Sequence, residues 1–158
     1  MRLSLIGSRA MGLSLAVSLG LFCIAGCSSG GPAPPKLVPV AGKVMLDGAP
    51  LAGASVIFVP KDQTKGTGGT GITDAEGKYE ARHQSNKAGI EPGTYAVIFS
   101  KIAMPDGSPI PPGKNAADVG ATEVLPQQLS NPSPDFMTNI VTITETGGTS
   151  FDFTLASK

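Results

Sequence analysis

Tryptophan is absent from this 158-residue chain, histidine occurs once, cysteine and tyrosine twice each, and only 15% of the residues are charged. Without tryptophan, and with two tyrosines, there is no evident aromatic platform on which bases or sugars could stack. A single histidine, His83 in "EARHQSN", leaves little for proton transfer or metal binding, both of which draw heavily on imidazole. It reads as a solvated residue at a strand end, with nothing nearby resembling the turn that exposes a nucleophilic serine. Basic and acidic side chains number 12 each and the basic ones do not cluster, which argues against nucleic acid as a partner. Asp47, Asp62 and Asp106 stand alone, and Asp74 and Glu76 in "TDAEG" lack the ligand ladder of a calcium loop. The expectation is a chain with no catalytic residues, no metal and no cofactor.

What the chain has in quantity is glycine, 21 residues, and proline, 14, with 41% hydrophobic residues, a composition suited to one domain of short elements and many turns. Its start reads as an export signal: Arg2 and Arg9 are followed by the uncharged apolar or small run from Met11 to Ile24. Ile24, Ala25, Gly26 and Cys27 then resemble the lipobox of bacterial lipoproteins, an aliphatic residue, two small residues and a cysteine. That resemblance implies cleavage of residues 1–26, with Cys27 as the lipidated N-terminus, since a thiol is the nucleophile that forms the thioether to diacylglycerol. Cys23 would leave with the signal, so neither a disulfide nor a metal pair would remain. An ordinary signal peptide that leaves Cys27 as a free thiol is the alternative. Two or three acyl chains give lasting anchorage, which one chain does not. Ser28 takes the place of the aspartate that retains some lipoproteins in the inner membrane, so the resemblance favours export to the outer membrane, or the outer face of the cell membrane. With Arg2 and Arg9 removed, acidic side chains outnumber basic ones by two. Residues 27–36, largely "SSGGPAPPK", form a flexible Gly/Pro tether.

From Leu37 onward apolar residues recur at every second position in short runs bounded by Gly, Pro, Asn and Asp, which predicts strands. Val38, Val40, Val44 and Leu46 define one face. Ala54, Val56 and Phe58 define another, with Ile57 and Val59 opposite. Asp47-Gly48 signals a tight hairpin, Asp74 and Gly77 bracket a four-residue turn, and Gly93 opens the strand of "TYAVIFSKI". That strand is apolar on both faces and should be interior, with Tyr79 and Tyr95 in the core. Val141 and Ile143 precede a Gly147-Gly148 turn, after which Phe151, Phe153 and Leu155 alternate with polar residues. About seven strands and no convincing helix predict an all-β, antiparallel, two-sheet sandwich over residues 37–158. A proline-rich insertion at about 103–135, holding Pro105, Pro109, Pro111, Pro112 and Pro126, is either an idle excursion or a functional loop.

"VAGKVMLDGAPLAGASVIFVP", "GITDAEGKYEA" and "EPGTYAVIFSK" resemble the carboxypeptidase regulatory-like domains, and in particular small lipoproteins carrying one such domain. The resemblance implies a transthyretin (prealbumin)-like Greek-key sandwich and a mode of display, and it implies no catalytic site. Similar lipoproteins often continue Leu-Pro-x-x-Tyr, where this chain has Leu125-Pro126-Gln127-Gln128-Leu129. The hydroxyisourate hydrolases of the same fold use several His and Arg and a C-terminal Tyr-Arg-Gly-Ser, which this chain, ending "TLASK", lacks. The expected role is a monomeric, membrane-anchored, non-catalytic surface domain in binding or envelope structure, its protein or glycan partner unspecified. A glycan- or peptide-binding module using the long loop is the first alternative and an envelope hydrolase the second.

Overall fold

Val40 and Val44 are buried while Ala41 between them is exposed, so the period-two pattern of Val40–Leu46 folds as strand β1. The computed structural model describes residues 34–133, 137–146 and 149–158. Ile24, Ala25, Gly26, Cys27 and the Gly147-Gly148 turn lie outside the described residues. β1 is the centre of one sheet. Antiparallel to it run β2 (Ala49–Pro50) and β5 (Lys78–Glu80). The second sheet is antiparallel throughout, in the order β10 (Ile140–Ile143), β7 (Gly93–Ser100), β3 (Ser55–Pro60), β4 (Gly69–Ile72) and β6 (Arg82–His83). The molecule is an all-β sandwich. β7 is interior, as its two apolar faces predict, with β10 on one side and β3 on the other.

The sheets meet through a chain of aromatic rings. Tyr95 and Phe58 of the second sheet lie 6.5 Å apart, Phe58 reaches Tyr79 of the first at 6.2 Å, Tyr79 reaches Phe153 at 6.4 Å, and Phe153 meets Phe99 edge-on at 5.1 Å. Such pairs contribute about 0.5–1.5 kcal/mol each beyond the area they bury. Both tyrosines are core residues, as expected, and each hydroxyl donates to a carbonyl: Tyr79 to Phe151 at 2.9 Å and Tyr95 to Glu91 at 2.8 Å.

The first sheet departs from antiparallel order on one side of β1. There β11 (Thr149–Ser150) and β12 (Phe153–Leu155) pair with it in parallel. Parallel neighbours cannot be joined by a tight turn. These strands belong to opposite ends of the described domain, and the chain arrives at β11 from β10 in the other sheet, so no hairpin sets their direction. Between β11 and β12 the ladder is interrupted at Phe151 and Asp152. Three bonds repair it: Phe151 N–H donates to the Ala41 carbonyl at 2.9 Å, Lys43 N–H donates to Asp152 Oδ1 at 2.8 Å, and the Tyr79 hydroxyl donates to the Phe151 carbonyl. Gly42 sits beneath this crossing, where a Cβ would strike the Phe151 carbonyl oxygen.

Gly42→Ala is therefore expected to destabilise the domain by about 2–3 kcal/mol through backbone displacement. Tyr79→Phe, which removes one bond to a part-buried carbonyl, is expected to cost about 1 kcal/mol. Urea unfolding midpoints measure both, and a Gly42→Ala protein as stable as the parent contradicts the crossing described.

Candidate functional site

The sole histidine lies at the end of β6, and its environment corrects the expectation of a solvated residue: its side chain is only 9% exposed. Three residues surround the ring. Nδ1 accepts the Ser85 N–H at 3.0 Å and lies 2.8 Å from Ser85 Oγ. Nε2 lies 2.7 Å from Thr67 Oγ1 and 3.6 Å from Glu91 Oε2. A backbone N–H can only donate, so Nδ1 must be the acceptor and the ring proton of the neutral form resides on Nε2. Glu91 also accepts the Thr67 N–H at 2.6 Å. Serine, histidine and glutamate thus converge, which periodicity alone did not reveal, because loop 61–68 brings Thr67 to the ring from a distant part of the sequence.

The arrangement differs from a nucleophile and its base. The one Nδ1 lone pair is already taken by the Ser85 backbone, and the Glu91 carboxylate holds the Thr67 loop rather than orienting the ring. Its geometry is that of a tied turn: Asn86 N–H donates to the His83 carbonyl and His83 N–H to the Lys87 carbonyl, with Asn86 at φ 62°. A groove of about 490 Å³ runs alongside, lined by Thr70 and Ile72 together with Arg82, His83, Gln84 and Asn86. Ile72 is 71% exposed there.

The proline-rich insertion is anchored at its base. Its start pairs with its middle as β8 (Ile102–Ala103) and β9 (Thr122–Glu123), closing an excursion between them. Glu123 clamps them: one carboxylate oxygen accepts the Lys101 and Leu125 N–H groups, both at 2.9 Å, and the other accepts the Ser100 hydroxyl at 2.6 Å. Two one-turn helices follow the prolines, a 3₁₀ turn at Ala117–Val119 and α1 at Gln127–Ser130, where no helix was expected. Leu125 is buried and Leu129 packs on the core, so this end of the insertion seals the sandwich. A second groove of about 530 Å³ separates the excursion, at Gly107, Pro109 and Ile110, from Gly53 and Asp74 on the body.

The turn residues singled out in the sequence hold turns. Asp47 (φ 49°) and Gly48 (φ 85°) form the β1–β2 hairpin, and Asp47 Oδ1 also accepts the Ser157 N–H at 3.1 Å. Asp74 Oδ1 accepts the Glu76 and Lys78 N–H groups at 3.0 and 2.8 Å, closing its turn with Gly77 (φ 76°) at the Val44 carbonyl. Gly93 faces Thr64, leaving no room for a Cβ. Among the described residues no three His, Cys, Asp or Glu side chains are placed to share a metal ion.

No family model matches the chain, and no curated protein matches it. Among solved structures, the crystal structure of a 9R-lipoxygenase from Cyanothece PCC8801 is similar over 77% of this chain and 16% of that protein, with 16% identity and a TM-score of 0.36. The chain thus spans about a sixth of that protein's length, and a likeness this slight carries no argument.

Burial alone would raise the Glu123 pKa, but the bonds from Ser100, Lys101, Leu125 and Val124 together outweigh it and hold the carboxyl below its ordinary value. Asp47 and Asp106 are lowered as well, by hydrogen bonds from Ser157 and Ser108 respectively. A lowered folded pKa contributes stability that is complete above the unfolded value, about 4, and is lost as pH falls through the folded value. The domain is therefore expected to weaken below about pH 4.5, with Glu123→Gln flattening that decline and lowering neutral-pH stability by about 1–2 kcal/mol. Urea titrations from pH 7 to pH 3 check this, and a variant whose pH profile parallels the parent's contradicts it.

Proposed function

We propose that this chain is an exported lipoprotein. Cys27 carries the acyl anchor, residues 27–36 are the tether, and the sandwich is a carboxypeptidase regulatory-like, transthyretin-like domain displayed without catalysis at a membrane surface. The observation that carries the non-catalytic reading is the use made of the polar side chains. Asp47, Asp74, Glu91, Asp106, Glu123 and Asp152 each accept at least one backbone N–H from a turn, a loop or an interrupted ladder. Groups employed as fixed acceptors for the backbone serve display better than proton transfer, which needs a group free to change its partner.

The anchor reading rests on Ile24, Ala25, Gly26 and Cys27, followed by a Gly/Pro stretch that leads into the first core residues, Val38 and Val40. No helix among the described residues is long and apolar enough to cross a membrane. The grooves beside β4 and beside the excursion favour a binding role for a peptide or glycan over a purely structural one, since both are lined by apolar and polar residues together.

Cys27→Ser is expected to abolish incorporation of labelled fatty acid and move the protein from the detergent phase to the aqueous phase in a temperature-induced separation. Equal labelling of parent and variant would contradict the anchor, and a detergent-phase variant without label would show attachment by another route.

A further inference from the structure

We propose that the turn from His83 to Lys87 is a proton-sensitive latch on the rim of the groove beside β4. In the neutral ring Nδ1 accepts the Ser85 N–H at 3.0 Å, and the Ser85 hydroxyl oxygen lies 2.8 Å from the same nitrogen. The two respond differently when a proton arrives on Nδ1. The hydroxyl can rotate and accept the new N–H, whereas the backbone N–H cannot reverse and is left facing another donor. Protonation from solvent thus expels the Ser85 amide while the hydroxyl contact persists.

The charged ring stays in its place because its other side is prepared for it. Glu91 Oε2 is 3.6 Å from Nε2, and Thr67 Oγ1 at 2.7 Å takes the Nε2 proton in either state. Glu91 is itself held by the Thr67 N–H, and its carbonyl by the Tyr95 hydroxyl. The burial of that phenol, followed by the charge of Glu91, pushes its pKa up to about 12, so it remains a donor throughout the range in which histidine titrates. On the same hairpin the Arg82 guanidinium is directed to the Asn86 carbonyl at 3.3 Å, and the Lys87 ammonium makes no ion pair among the described residues. From the loop carrying Thr67, Lys61, Asp62 and Lys65 make none either, and β4 presents Gly69 opposite His83. Glu91 is therefore the charged group that stabilises the protonated ring.

Movement of the expelled amide changes the groove. Gln84 and Asn86, the chain neighbours of Ser85, line it, and Gln84 donates across to the Thr67 carbonyl at 3.0 Å. A groove framed by these residues while the ring is neutral would loosen beside them once Nδ1 carries a proton.

The experiment is a two-dimensional amide NMR titration of the folded protein from pH 8 to pH 5, with the His83 ring protons followed in parallel. The expected result is that the Ser85 amide resonance shifts with the ring's midpoint, and that its exchange protection drops about tenfold on protonation while the Val56 amide is unmoved. His83→Asn supplies the control: its side-chain oxygen takes the place of Nδ1 as an acceptor that does not titrate, so Ser85 should stay protected and pH-independent. Three outcomes overturn the latch: a ring that titrates without moving Ser85, a ring that stays neutral to pH 5, or a Ser85 shift that persists in His83→Asn.

Discussion

Backbone N–H groups that no strand can satisfy are the constraint on which this domain depends. A chain with 21 glycines and 14 prolines breaks its ladders often, and each break exposes donors that are costly to leave unpaired. Side-chain oxygens, and in one place an imidazole nitrogen, stand in for the missing carbonyls. Asp152 does so where β12 crosses Gly42, Asp74 inside its hairpin, Glu91 on the loop before β4, and Glu123 at the neck of the excursion. Charged acceptors form stronger hydrogen bonds than neutral ones, so a few of them compensate for much irregular backbone.

This use of charge links stability to chemistry. A carboxylate committed to two amides has little freedom left for a substrate, and at Glu123 a lowered pKa keeps the group ionised where the fold needs it. Five of the aromatic residues are committed in the same way: Phe58, Tyr79, Tyr95, Phe99 and Phe153 form one chain of contacts between the sheets, so these rings are inside. Loops and turns, among them those lining the grooves beside β4 and beside the excursion, offer surface for recognition.

The sandwich was legible because its signals are local. Val40 and Val44, Val56 and Phe58, and Phe153 and Leu155 repeat with the pleat, and Asp47-Gly48 needs only its own backbone to make a turn. The His83 site was not legible, since Thr67, Ser85 and Glu91 come from three segments that the pairing of β4 and β6 draws together, and no period or motif links them. The Glu123 clamp was hidden for the same reason: its partners Ser100 and Lys101 lie across the whole excursion. The parallel pairing of β1 with β12 was equally out of reach, because alternation marks a strand and its buried face without giving its direction.

Amide hydrogen exchange, resolved residue by residue at neutral pH, tests the central claim most directly. The amides of Lys43, Thr67, Lys78, Lys101 and Leu125 bond to side chains rather than to a strand. Protection within about tenfold of that of the ladder amides of β3 and β7 is the result this account predicts. Exchange at the rate of an unstructured chain would contradict it, and would mean that the carboxylates are free for another purpose.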